Sequence, residues 1–393
     1  MKILVACEMP DFALEALRAV GGQVLYSPDL SADDLPAAIR DVAILVVHRL
    51  RVGAEAIHAG TALQLIIRAG TGVSNIDVDE ASSQGVFVSH CPHRDAVSIA
   101  EYALGLLVVL DRGLIRSTQE SATRGNPEDD ALGLHGRALG IIGGSPAARE
   151  LACRASAFEM KLLAWSPQAP QTATPPRGVE LCASRRDLAR RSELLVVIAN
   201  EENDETPLDA DLLTSVRDGA TVVFVGTPGS MDESAVIAAA GRLRLAIDLT
   251  GQDTGRDALR LAARMANHPE VLVTHRLSDR TIHARHSVAG EVVHIVRQYV
   301  VAGQFLNCVN LLERSPATWQ LVLRLRDAVG VMASIMDAIR ADGVNAEEIT
   351  SRVFVGARAA WCTIALDERP SMEALDAIRE LDGVLHLELR AVV

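Results

Sequence analysis

Two hydrophobic rhythms alternate along the first 300 residues. Short, mostly apolar runs at 2–6, 23–26, 42–47, 65–67 and 85–89 read as strands, and the continuous apolar run at 42–47 has the character of a parallel-sheet strand. Between them, 12–19 and 54–59 carry helical spacing, and Ser31 opens another helix with Asp33 and Asp34 in its first turn, where the helix dipole favours anions. A glycine-rich turn, RAGTGVSNID at 68–77, and a histidine-rich loop, HCPHRD at 90–95, follow two of these strands. From 97 to about 118 the spacing becomes that of one long helix, with Ala100, Ala103, Leu104, Leu107, Val108 and Leu114 near one face. Such a helix links two domains or meets a second subunit, and the length of the stripe favours the subunit contact.

Residues 139–167 read as strand, tight turn, helix opening at Pro146, and second apolar strand at 160–165, which is a βαβ nucleotide-fold unit. Beyond a proline-rich loop, strands at 179–182, 194–198, 221–225, 243–248 and 272–274 are separated by helices at 184–192, 209–216 and 234–240. A long amphipathic helix over 281–303 leads out. The final stretch orders strand 319–325, helix 331–341, strands 349–354 and 359–366, helix 371–380 and strand 384–389. That βαββαβ sequence describes a small ferredoxin-like unit. The fold class is therefore α/β, two Rossmann-like doubly wound parallel-sheet domains plus a C-terminal ferredoxin-like α+β domain.

Composition narrows the function. A 393-residue chain that is 49% hydrophobic and 23% charged is long enough for two or three ordinary cores. Its net charge of −13 argues against a phosphate-backbone partner, so no nucleic acid is expected. No apolar run reaches the about eighteen residues a membrane span needs, and the start MKILVACEM is a strand rather than a leader, so no membrane and a cytoplasmic location are expected. The six cysteines are scattered without a CxxC, which reads as reduced thiols. Adjacent His90, Cys91 and His93 diverge in direction and lack a fourth ligand, so no metal is expected.

The turn of the βαβ unit carries the sharpest chemistry. A dinucleotide-binding turn needs glycine where backbone approaches pyrophosphate, a small residue where helix meets strand, and an acid after the second strand for the ribose. Gly143 and Ala148 fill the outer positions, but Ser145 stands in the middle, Pro146 removes an amide donor before Ala147, and the second strand ends in Ser166. Ser145 as N-cap and Pro146 at the first helical position make a well-formed helix start instead.

RAGTGVSNID, VSIAEYALGLL downstream of it, the LGIIGG unit and the small C-terminal domain together resemble the D-isomer-specific 2-hydroxyacid dehydrogenase family in its D-3-phosphoglycerate dehydrogenase form, with a C-terminal ACT domain. The resemblance implies a discontinuous substrate-type domain at 1–97 and 279–314, a nucleotide-binding-type domain at 98–278 and an ACT domain at 315–393. It implies a cleft where Gly70, Thr71, Gly72 and Val73 hold an anion beside His93 and Arg94, with Asp248 facing the nicotinamide.

The resemblance also locates departures. Phe224 and Thr227, or Pro228 if the register moves by one, stand where the family has the Asn and the carboxylate-holding Arg; Arg276 stands at the position of its catalytic His, with His275 beside it, and Asp253 at that of its Glu. An arginine is no general base near neutral pH. Either His275 with Asp253 relays the proton after a one-residue shift, or Arg276 anchors a ligand, or the two are surface residues. In the C-terminal unit, Asp327 and Asn345 fall at effector-contact positions. The resulting expectation is a dehydrogenase-like protein with NAD(H) or NADP(H) binding weak or absent. It would bind a small carboxylic acid or an amino acid, or act as a regulator, and would self-associate as a dimer or tetramer through the 97–118 helix and the ACT domain. The alternative is an NAD(P)-dependent oxidoreductase acting on D-3-phosphoglycerate or another D-2-hydroxy acid.

Overall fold

The computed structural model describes residues 1–114, 131–167, 177–199, 207–251, 254–268, 270–312 and 314–392. Two compact units divide the chain, Met1–Asn310 and Leu311–Val393.

The first unit holds two parallel sheets. Strands β1 (Lys2–Ala6), β2 (Gln23–Tyr26), β3 (Ile44–Val47), β4 (Leu65–Arg68) and β5 (Phe87–His90) form a five-stranded sheet in the order β2-β1-β3-β4-β5. Strands β6 (Ala138–Ile142), β7 (Lys161–Trp165), β8 (Val179–Leu181), β9 (Leu194–Ile198), β10 (Thr221–Gly226), β11 (Arg244–Leu249) and β12 (Val271–His275) form a seven-stranded one in the order β12-β11-β10-β9-β6-β7-β8. Every residue of β3, β4, β9 and β10 is buried, which is why these runs lack the polar alternation of a half-solvated strand.

Two long helices pass between the sheets. The helix Ala96–Asp111 leaves β5 and buries Ala100, Ala103 and Leu107 against the helix Pro146–Ser156 and the strands β10 and β11. Its apolar stripe, expected at a subunit contact, is thus largely occupied inside the chain. The expected continuation past residue 114 lies outside the described residues. The helix Ile282–Arg297 returns, and Ala289, Val292, Ile295 and Val296 pack on β1, β3 and β4. Residues 307–310 then run back beside β5, where Val309 N–H donates to the Val88 carbonyl. A helix at Gly255–Arg264 had no counterpart in the hydrophobic pattern; its arginines Arg260 and Arg264 pair with Glu233.

The second unit is a four-stranded antiparallel sheet of β13 (Trp319–Arg326), β14 (Ala346–Val353), β15 (Ala359–Leu366) and β16 (Val384–Ala391), in the order β14-β15-β13-β16. The helices Val331–Ala341 and Met372–Glu380 contribute Ile335, Ile339, Leu375 and Ile378 to its core with Leu321, Leu323, Cys362 and Ile364. Among the described residues no helix is long and apolar enough to cross a membrane.

Candidate functional site

In open α/β sheets ligands bind beyond the carboxyl ends of the strands, where the strand order reverses. The first sheet reverses between β1 and β3, the second between β6 and β9. Cys7 and Glu8 after β1, His48 after β3, Ser145 after β6 and Ala199 after β9 all line one cavity of about 1410 Å³. Both switch points therefore open into the same space.

Arg68, at the end of fully buried β4, is only 7% exposed and lines this cavity. Its Nε donates to the His48 carbonyl at 3.4 Å and its Nη1 to the Gly72 carbonyl at 3.3 Å, so backbone on two sides holds the guanidinium. Gly70, Thr71 and Gly72 line the cavity as well, but the Gly70 amide donates to the Arg68 carbonyl and the Gly72 amide to His90 Nδ1 at 3.2 Å. The two glycine amides expected to meet an anion are thus committed within the protein. Val73 is not part of the lining. His93 is, held at φ 58° with its amide donating to Thr71 Oγ1 at 3.2 Å. Arg94 is not; it pairs with buried Glu291, whose other oxygen accepts from Asn307 Nδ2 at 2.8 Å.

The loop after β12 settles which of two neighbours faces the cavity. Arg276 lines it, in a left-handed backbone conformation with φ 52°, and its Nε and Nη2 donate to Asp279 Oδ2 at 3.1 and 2.6 Å. Asp279 lines the cavity too, while its Oδ1 is enclosed without a hydrogen-bond partner among the described residues. His275 is outside the lining. Its ring lies beside Gly255, where an added Cβ would stand 3.4 Å from Cε1, and its Nε2 is enclosed with no hydrogen-bond partner among the described residues. Asp253, the acid expected to orient that ring, lies outside the described residues.

Asp248, expected to face a nicotinamide, is fully buried and outside the lining. Its Oδ1 accepts from Thr274 Oγ1 at 2.7 Å and the Leu277 amide at 3.2 Å; its Oδ2 accepts from the Ser278 amide at 3.1 Å and hydroxyl at 2.6 Å. Tyr102 extends this chain by donating to Thr274 at 3.0 Å. The carboxylate therefore shapes the loop that presents Arg276, and buried acceptors with this many donors are costly to remove.

On the nucleotide side, Ser145 lines the cavity and its Oγ accepts from the Ala148 amide at 3.4 Å, the N-cap of a helix with proline in its first turn. Ala147 also lines the cavity, whereas Gly143 and Pro146 do not. Gly143, at φ 136°, is glycine for packing, because a Cβ there would stand 2.7 Å from the Ile198 carbonyl oxygen. A diphosphate laid on this turn would meet the Ser145 Cβ and a nitrogen without a proton. The residues present fit a helix start and not a dinucleotide cradle of the glycine-turn kind.

Charge in the cavity is mixed. Burial, then the Arg68 charge, pull the His48 imidazole down to about 4. Burial pushes the Asp95 carboxyl up, with neighbouring Asp279 adding to it. Burial also pushes the Cys7 thiol to about 12, which leaves it no nucleophile. No group of three or more His, Cys, Asp or Glu among the described residues is placed to hold a metal. His48, Asp95 and Asp279 were not singled out from the pattern of the chain, and Arg68 only as the first residue of the glycine-rich turn. The available signal was positional, since a charged residue closing an otherwise apolar parallel strand sits where ligands bind.

In the second unit Asp327 and Asn345 are exposed, and the Asn345 side chain donates to Glu347 at 2.7 Å while its amide donates to Asp367 at 2.9 Å.

Residues 3–310 match the family model of the D-isomer specific 2-hydroxyacid dehydrogenase, catalytic domain. The chain is 31% identical over 275 residues to a hydroxypyruvate reductase of Thermotoga maritima, covering 68% of this chain and 88% of that one. It is 27% identical over 350 residues to a D-3-phosphoglycerate dehydrogenase of Archaeoglobus fulgidus, 85% of this chain and 64% of the relative, so it spans less than two thirds of that protein's length. Among solved structures, a D-2-hydroxyisocaproate dehydrogenase covers 79% of this chain and 100% of its own with a TM-score of 0.69 at 17% identity, a likeness of fold.

Proposed function

The chain belongs to the D-isomer-specific 2-hydroxyacid dehydrogenase family, and from that premise we propose that it binds a small carboxylic acid in the cleft between its two parallel sheets, with dinucleotide binding weak and standard NAD-linked turnover feeble. The observation that carries this reading is the loop after β12. It turns Arg276 toward the cavity, while the neighbouring imidazole of His275 lies beside Gly255 with its Nε2 enclosed. A guanidinium binds a carboxylate through charge-assisted bonds and holds its own proton throughout the neutral range. Arg68, held by two backbone carbonyls at the end of β4, adds a second cation to the cavity lining. Ser145 and Pro146 support the weak-cofactor part of the reading.

A second reading, an NAD(P)-dependent oxidoreductase acting on a D-2-hydroxy acid, draws on the cavity's size. About 1410 Å³ exceeds what a small acid alone fills, small-ligand pockets running to roughly 1,000 Å³. Calorimetric titration of the full chain with NADH and NADPH, and separately with propionate, D-lactate and D-glycerate, separates the two. Acid binding with no nucleotide heat supports the first; tight nucleotide binding with turnover of a hydroxy acid replaces it with the second.

A further inference from the structure

His48 sits one residue past β3, at the switch point of the first sheet, and lines the cleft. Its Nδ1 lies 2.6 Å from the Ala69 carbonyl oxygen. A carbonyl only accepts, so Nδ1 carries the proton, and in a neutral ring that leaves Nε2 bare. The ring is seated against Gly70, where a Cβ would stand 3.3 Å from both Cε1 and Nδ1, so the glycine makes the room that the ring fills. Nε2 takes no hydrogen bond among the described residues, and it is not one of the enclosed orphan atoms.

We propose that His48 is a specificity-determining residue of this cleft, its Nε2 accepting a hydrogen bond from a hydroxyl carried beside the ligand's carboxylate. The inference rests on the reading of the cleft as a carboxylic-acid site. Arg68, Arg49 and Arg276 are the charged groups acting on the ring, and their sign decides between the two donors a C2 substituent can offer. Asp95 and Asp279, the latter paired with Arg276, line the same cavity and offset part of this charge, but the cations acting on the ring still attract a carboxylate and repel an ammonium, so a hydroxy acid gains from Nε2 what an amino acid loses to the guanidinium groups. Burial and the same cations keep the ring neutral, with Nε2 an acceptor, down to about pH 4.

The test uses three acids of one skeleton, propionate, D-lactate and D-alanine, titrated calorimetrically into the full chain and into His48→Ala and His48→Gln. D-lactate is expected to bind about 3- to 10-fold tighter than propionate, the reach of one hydrogen bond, and D-alanine no tighter than propionate. In His48→Ala the D-lactate advantage disappears with propionate affinity kept; in His48→Gln, whose Oε1 also accepts, part of it returns. An advantage that survives His48→Ala, that is absent from the wild type, or that belongs to D-alanine overturns the inference while leaving the acid site standing. Failure of propionate and D-lactate alike removes the acid site itself, and the inference with it. A nitrogen-15 correlation spectrum of the ligand-free wild type at pH 7 gives a readout independent of binding: a proton on Nδ1 and a bare Nε2 are expected, and a proton on Nε2 overturns the assignment.

Discussion

Arg276 closes on Asp279 through two nitrogens that share one oxygen, Nε at 3.1 Å and Nη2 at 2.6 Å from Oδ2, leaving Oδ1 enclosed and without a partner among the described residues. The pair is held on a backbone with φ 52° at a non-glycine residue, a conformation that costs of order 1 kcal/mol and persists because the surrounding loop imposes it. Arg276→Ala strands the Asp279 carboxylate, and removing one partner of a largely buried pair costs about 3 kcal/mol. The double variant Arg276→Ala/Asp279→Ala is expected to recover most of that stability in urea unfolding but none of the acid binding in calorimetry. Recovery of binding would show that Arg276 acts only through Asp279.

Asp248 is expected to matter for stability before function. It accepts four hydrogen bonds at the base of the loop, two of them from Ser278. Asp248→Ala leaves those donors facing a void and is expected to lower unfolding free energy by about 2–4 kcal/mol. Ser278→Ala removes one donor and costs about 1 kcal/mol. Equal losses for the two variants, read from denaturant midpoints, would contradict the network.

The lowered His48 value sets a pH dependence whose sign follows from linkage. The folded ring titrates at about 4 and the unfolded one at 6.5, so between these values the unfolded chain binds more protons. Stability therefore rises with pH across that window and is lost as pH falls through it. The gap between the folded and unfolded values corresponds to at most about 3 kcal/mol. His48→Gln, which does not titrate, is expected to flatten the slope of unfolding free energy between pH 4.5 and 6.5; an unchanged slope assigns it to other groups.

Ser145 separates helix capping from cofactor affinity. Ser145→Ala loses the bond to the Ala148 amide and is expected to cost about 1 kcal/mol, Ser145→Gly only a few tenths. The glycine variant also exposes bare backbone to the cleft and is expected to tighten NADH binding relative to wild type. Fluorescence titration with NADH checks this, and equal affinities would place the obstacle at Pro146 or beyond β7.

What the sequence determined by itself was the layering and the order of elements. Apolar runs such as 44–47 and 194–198 must be buried on both faces, and the helices between them enforce parallel pairing, so two doubly wound sheets and an antiparallel C-terminal unit were readable from periodicity. The N-cap at Ser145 was equally readable, because capping is local. The helix Gly255–Arg264 was less so, its polar face being balanced by ion pairs to Glu233 from a distant segment. The direction of side chains in the cleft belonged to tertiary structure alone. Whether His275 or Arg276 faces the cavity depends on Asp248, 27 and 28 positions earlier in the chain, pinning the loop through Leu277 and Ser278. Whether the Gly72 amide remains open to a ligand depends on His90, 18 positions later, taking it first. Hydrogen bonds between residues far apart in sequence carry no periodicity, and only the folded chain brings their two ends together.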